Sequence, residues 1–257
     1  MADGSLAGSV SLKGKVSQEE WQARVDLAAL YRLVALFGWD DMIYTHISAR
    51  VPGPGHHFLI NPYGLWFGEM TASALVKVDT EGNILQETPY FINPAGFTIH
   101  SAVHMHREDA HFVMHLHTDQ GAAVAAQKEG LLPLTQHSLI VLPRLAYHDY
   151  EGIALNLDER ERLVADLGPT KTLMLLRNHG TLALGQSAAD CWTGMFYLER
   201  ACKMQVMALS AGRDNVLLSP RPARQEVDGA TRGGVGGGLA WPGALRKLQR
   251  ESPGYDA

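Results

Sequence analysis

Two histidines one residue apart, His115 and His117, close an apolar run, and a third, His179, follows about sixty residues later in Arg177-Asn178-His179-Gly180. On a β-strand, side chains alternate between faces, so the pair projects to one side. His179 is placed to close a three-histidine site. Three neutral imidazoles leave a divalent ion an open coordination position, the arrangement of a catalytic rather than a closed structural centre. Such an ion is a Lewis acid that chelates hydroxyl, carbonyl or carboxylate oxygens and stabilises the enolate left when a carbon–carbon bond breaks. Zinc is the first expectation for this donor set, with manganese and iron as alternatives.

The elements around these residues follow from pattern. Ser17-Gln18-Glu19-Glu20 reads as a helix cap with an acidic first turn, and predicts a helix from about Ser17 to Phe37. Ile43 to Val51 and His57 to Asn61 are β-rich runs divided by Pro52-Gly53-Pro54-Gly55. Leu75 to Asp79 and Ile84-Leu85 read as strand, turn, strand. A helix opens after Asn93-Pro94 and runs to about Arg107, with His100 and His104 on one face at i, i+4 spacing. The strand Phe112 to His117 follows, then a helix from Asp119 to about Glu129, short strands around Leu139 to Leu142, and a helix from Leu157 to Asp166. Thr172 to Arg177 is an apolar strand, and Asn178-His179-Gly180 turns the chain into a further strand, Thr181 to Leu184.

A long helix from about Ala188 to Ala211 is too apolar for one stripe, so it is buried or meets another subunit. From Gly212 the character changes: Pro220, Pro222 and the Gly233–Gly238 run read as a flexible linker. Leu239 to Leu248 then reads as a short docked helix with Trp241, and Tyr255 beyond it, as anchors over a subunit interface or site mouth. The organisation expected is an N-terminal extension at 1–16, one α/β domain at 17–211, and a Gly/Pro-rich linker and tail at 212–257.

Composition narrows the function class. The chain has 257 residues, 46% hydrophobic, which suffices for one substantial core. A formal net charge of -5 gives no basic field for nucleic acid or an anionic membrane. No run approaches the roughly 18 apolar residues of a membrane span, and no signal pattern opens the sequence. The two cysteines, Cys191 and Cys202, share one helical segment and imply no disulfide framework, so a cytoplasmic setting is expected.

Five motifs in order resemble the class II aldolase and adducin domain family: Ile47-Ser48-Ala49-Arg50, Phe58 to Gly64, Leu75 to Asp79, His115-Leu116-His117-Thr118, and Asn178-His179-Gly180. The resemblance covers roughly residues 20 to 210. It implies a three-layer αβα fold around a largely antiparallel sheet, and a homotetramer with active sites between subunits. It also implies that His115, His117 and His179 bind the catalytic metal. A tyrosine that acts as general acid from a neighbouring subunit in the aldolases aligns with His137, whose ordinary pKa suits proton transfer near neutrality.

The departures are informative. Sugar-phosphate aldolases of this family carry a metal-binding glutamate four residues before the position of His100, where this chain has Gly96. Their phosphate cradle falls at Thr45-His46 and Pro94-Ala95, which lack the expected amide and hydroxyl donors, so a non-phosphorylated substrate is expected. His46 becomes a candidate substrate contact, and His100 or His104 a candidate replacement for the glutamate. Because decarboxylation needs no base to deprotonate a hydroxyl, the expected activity is a metal-dependent lyase, leaning toward decarboxylation of a hydroxy or keto acid over retro-aldol cleavage. The pattern at Gly96 resembles the adducin-like bacterial branch, so a non-catalytic interaction domain is the first alternative and an Fe(II)-dependent oxygenase the second.

Overall fold

The computed structural model describes residues 11–152, 158–231 and 236–257. Helix α1 (Gln18–Leu36) begins where Ser17 accepts a hydrogen bond from the Glu20 N–H at 3.1 Å, with Glu19 and Glu20 at the positive end of the helix dipole. Seven strands then form one sheet: β1 (His46–Arg50), β2 (Phe58–Ile60), β3 (Val76–Val78), β4 (Phe112–Leu116), β5 (Leu145–His148), β6 (Leu173–Leu176) and β7 (Gly180–Gly185). Their spatial order is β3-β2-β1-β4-β7-β6-β5, and every pairing is antiparallel except β5 with β6. The expected α/β fold with a largely antiparallel sheet between helical layers is what the chain adopts.

Alternation along the strands assigns each side chain to a layer. Met114, Leu116, Leu173, Leu175 and Ala183 pack toward α1 and α6 (Ala188–Leu209), whose Leu27, Leu30, Met195 and Leu198 are fully buried. Val113, Met174, Leu182 and Leu184 point the other way, onto Ile99 and Val103 of α2 (Pro94–His106) and Leu163 and Leu167 of α5 (Glu159–Leu167). Each such side chain stabilises the fold by about 1.5–3 kcal/mol relative to exposure. His115 shares the face of Val113, and Ser48 and His46 lie opposite Val113 and His115 on β1. All four therefore face the α2 layer.

Several expectations need correction. Residues 139–142, expected as strand, belong to helix α4 (Gln136–Val141) and the 3-10 turn Leu142–Arg144. A reciprocal cap between Thr135 and Ser138 nucleates that helix and overrides the β-branched run. The helix after His117 ends early: α3 is Asp119–Ala125. Ile84 makes an isolated bridge to Val78 rather than a strand. The first strand starts at His46 and not at Ile43, because Met42 and Thr45 adopt positive φ (50° and 63°). His148 is a buried residue of β5 whose Nδ1 lies 2.7 Å from Asp166 Oδ2. Glu159 is buried beside it.

Within 212–257, residues 221–231 form helix α7 (Arg221–Thr231) where linker was expected. Pro222 occupies the second helical position, where a missing N–H costs nothing, and the helix lies against α4. Part of the glycine run lies outside the described residues, as does Leu157. The short helix expected in the tail is α8 (Trp241–Glu251), which packs on α1 of its own chain, with Trp241 half-buried and Tyr255 buried. The carbonyls of Tyr255 and Ala257 accept from the N–H groups of Ala72 (2.8 Å) and Ser73 (3.0 Å). No helix among the described residues is long and apolar enough to cross a membrane.

Candidate metal centre

Three backbone features converge the histidines. His115 sits on β4 and His117 one residue past its end, on the same face by alternation. The tight connection between β6 and β7 carries His179: its N–H donates to the Leu176 carbonyl at 3.0 Å, and Asn178 takes a positive φ of 56°, which asparagine tolerates better than most residues. Gly180 is obligatory, since a Cβ there would lie 2.2 Å from the Leu116 carbonyl oxygen. The three imidazole centroids are 4.7 Å apart in every pair, and one ring nitrogen from each falls within 4.8 Å of the others.

Their outer contacts fix which nitrogens carry protons. His115 Nδ1 lies 3.0 Å from the Thr181 carbonyl oxygen, and His117 Nδ1 lies 3.1 Å from Asp41 Oδ2; both partners only accept, so both Nδ1 atoms donate. In neutral rings the Nε2 atoms then carry lone pairs, and these two nitrogens stand 3.0 Å apart. Two lone pairs at that distance repel unless a cation lies between them. Nitrogens about 2.0–2.1 Å from one ion are separated by about 3.0–3.4 Å, so the spacing fits a shared divalent metal. Burial, reinforced by the neighbouring histidines, holds His115 well below the usual imidazole range, and burial with the charges of His117 and His148 pushes His179 down to about 4. Rings that resist protonation are rings kept available as ligands.

A further carboxyl braces this arrangement from the α6 layer. Glu199 accepts from the hydroxyls of Thr118 (2.5 Å) and Thr181 (2.6 Å), the residues that follow His117 and hold His115. Burial pushes its carboxyl up to about 7.

The triad opens into a cavity of about 460 Å³, of the size that takes a small molecule. His46 lines it, together with Tyr44, Tyr63, Asn93, Gly96 and Tyr150. Histidines aside, Asp41 is the one charged side chain among the described lining residues. His46 is buried, and burial with the charge of His117 pushes its imidazole down to about 3. His100 and His104, candidates for replacing the glutamate, do not line the cavity: Ser48 Oγ sits 2.6 Å from His100 Nδ1 and 2.7 Å from His104 Nε2, beneath it. His137 lies on α4 with its ring 5.4 Å from that of Tyr197 on α6, outside the lining that one chain provides.

The sequence profile of the Class II Aldolase and Adducin N-terminal domain matches residues 25–206. The chain belongs to this family. It is 76% identical over 257 residues to a Caulobacter vibrioides protein named "Putative aldolase class 2 protein", covering 99% of both chains. Rat alpha-adducin is 46% identical over 202 residues, 77% of this chain and 27% of that one. The crystal structure of an aldolase II superfamily protein from Pseudomonas syringae superposes with a TM-score of 0.91 at 51% identity, covering 96% of this chain and 100% of that chain. L-fuculose 1-phosphate aldolase from Glaciozyma antarctica superposes with a TM-score of 0.79 at 27% identity, over 91% and 92% of the two chains. A lyase-type function with a divalent metal is in keeping with the family and with the histidine cluster.

Sequence reasoning missed Asp41 and Tyr150. Asp41 lies 76 residues from the histidine it orients, and Tyr150, whose ring centroid is 6.1 Å from that of His179, follows a strand that no pattern announced. For Asp41 the available signal was weak: an acidic residue beside a segment of irregular backbone. Thr45, a β-branched residue at a φ of 63°, marks that segment as strained, which is a frequent companion of functional sites.

Proposed function

We propose that the protein is a divalent-metal-dependent lyase that breaks a carbon–carbon bond of a non-phosphorylated hydroxy or keto acid, by decarboxylation in preference to retro-aldol cleavage. The observation that carries this reading is the pair of ring lone pairs on His115 and His117, 3.0 Å apart with both Nδ1 protons committed elsewhere. His115, His117 and His179 would hold the ion, zinc in the first instance. When bound, it supplies a Lewis acid facing the cavity.

The chain's own residues narrow the rest. Asp41 is engaged by His117, so the described lining offers no unengaged carboxylate to take a proton from a substrate hydroxyl. Decarboxylation does not need one. The described lining also offers no lysine or arginine to a phosphate, which supports a substrate whose anionic group is a carboxylate near the metal. His46 contacts the substrate from β1. His137 is presented to the site of a neighbouring subunit, in a cytoplasmic homotetramer, and reprotonates the product carbanion.

The test is zinc-, manganese- and iron-loaded protein incubated with panels of hydroxy acids, keto acids and hydroxy-carbonyl compounds. Release of CO₂ or of an aldehyde fragment is expected, with loss in His115→Ala and His179→Ala. Oxygen consumption with Fe(II), or no turnover of any panel by metal-replete protein, would sink the lyase reading.

A further inference from the structure

Two unusual positions in the cavity, Gly96 at the start of α2 and His46 at the start of β1, are sterically one feature. A Cβ placed on Gly96 would fall 2.4 Å from His46 Cγ and 2.5 Å from both Cδ2 and Nδ1. These are backbone-proximal ring atoms, not the far end of a flexible chain, so any side chain at residue 96 must displace the imidazole. The ring has little room to yield. The His100 ring stands edge-on to it at 6.0 Å, and β1 pairs His46 directly with His115. His46 is therefore held in the lining by the lack of a side chain at 96.

What the ring offers is specific. His46 is 5% exposed, and its Nε2 is buried with no hydrogen-bond partner among the described residues. A buried polar atom left unpaired is costly, and in native proteins it usually has a partner that completes it. His46 lies outside the three-nitrogen cluster, so it is not a fourth member of that ligand set. A neutral imidazole presents one N–H donor and one lone pair. A carboxylate reaching the same space from residue 96 would instead add a negative charge, which repels an anionic substrate in a low-dielectric site.

We propose that His46 is the specificity-determining substrate contact of this site, admitted by Gly96, and that the pair selects small non-phosphorylated hydroxy or keto carboxylates that chelate the ion at His115, His117 and His179. This rests on the metal-dependent reading above. The carboxylate finds its countercharge at the ion, because the described lining supplies no cationic side chain, and the imidazole hydrogen-bonds the substrate without opposing its charge.

The experiment is calorimetric titration of zinc-loaded protein with glycerate and, separately, 3-phosphoglycerate, with zinc content measured for every variant. Wild type should bind glycerate, and 3-phosphoglycerate no more tightly. His46→Gln should weaken glycerate at least 10-fold while zinc stoichiometry stays at the wild-type level. Gly96→Ala should produce a comparable loss by displacing the ring, and the double variant His46→Ala/Gly96→Ala should be no worse than His46→Ala alone. Should Gly96→Ala not fold, His46→Gln decides the matter, since it leaves residue 96 untouched. Glycerate affinity within threefold of wild type in His46→Gln, tighter binding of 3-phosphoglycerate, or no glycerate binding by zinc-loaded wild type would each overturn the proposal. Wild-type protein that takes up no divalent metal would instead defeat the reading on which it rests.

Discussion

Two sets of three histidines lie on the α2 side of the sheet, His100 and His104 on α2 itself, and they are wired in opposite ways. In His115, His117 and His179 the two described Nδ1 contacts go outward, to the Thr181 carbonyl and Asp41, and leave Nε2 lone pairs converging on one point. In the set of His46, His100 and His104, the last two are tied to each other through Ser48. His104 Nδ1 donates to the Ala110 carbonyl at 3.0 Å, so in the neutral ring Nε2 accepts from the Ser48 hydroxyl, whose oxygen in turn accepts from His100 Nδ1. Burial keeps these rings neutral, holding His104 down to about 3 and His100 well below the usual range. One set aims lone pairs at a common centre; the other passes hydrogen bonds along a packed interior. Histidine content alone does not distinguish a ligand from a structural residue, whereas the atom that fixes the proton does.

The largest effect that separates the two sets is on metal content. His179→Ala or His115→Ala should abolish stoichiometric zinc by elemental analysis, whereas His104→Ala, if it folds, should keep it. Unchanged zinc in both triad variants would erase the contrast.

Stability against pH should report the brace behind the triad. The Glu199 carboxyl is raised to about 7 in the folded chain, above its ordinary value of 4.5. Between those values the folded state holds a proton that the unfolded state has released, so stability falls as pH rises through this window. The full effect is about 3 kcal/mol, from about 1.4 kcal/mol per pKa unit. Glu199→Gln should flatten the dependence between pH 4.5 and 7 in urea titrations. A wild-type profile with no decline there would remove Glu199 from the support of the site.

A smaller effect is expected at Asp41. Removing the partner that fixes a ligand's tautomer typically costs 10–100-fold in metal affinity, so Asp41→Ala should weaken zinc by that factor. Asp41→Asn should lose less, because its amide oxygen still accepts from His117 Nδ1. Equal losses in both would mean that the charge at Asp41 matters and the hydrogen bond does not.

How much of this was legible in the sequence follows from the range of each interaction. His115 and His117 obey strand alternation, and Asn178-His179-Gly180 encodes its own turn through a left-handed asparagine and a glycine with no room for a Cβ. Such local rules are written in neighbouring residues. The Asp41 contact spans 76 residues and depends on backbone at Met42 and Thr45 in a conformation that no residue pattern favours. The close approach of Gly96 to the His46 ring, which leaves no room for a Cβ, links positions fifty residues apart and exists only once α2 lies on β1. Helices α4 and α7 were missed for a different reason: β-branched residues in one and two prolines near the other suggested strand and linker, while capping and packing decided otherwise.

The gentlest way to break the comparison is at Ser48, the hydroxyl that joins His100 to His104. Ser48→Ala removes one oxygen and leaves His100 Nδ1 without its acceptor and His104 Nε2 without its donor, both in a buried layer. An unpaired buried polar group costs about 1–3 kcal/mol, and relaxation of two neighbouring rings should keep the total near 2 kcal/mol. The midpoint of urea unfolding should therefore fall with an unchanged m-value, since the surface exposed on unfolding is the same. Zinc stoichiometry and affinity should stay within twofold of wild type, because no triad nitrogen contacts Ser48 in the described hydrogen bonds. A variant that lost metal while keeping its stability would show that the two histidine sets share one network, and the division between ligand and scaffold would have to be withdrawn.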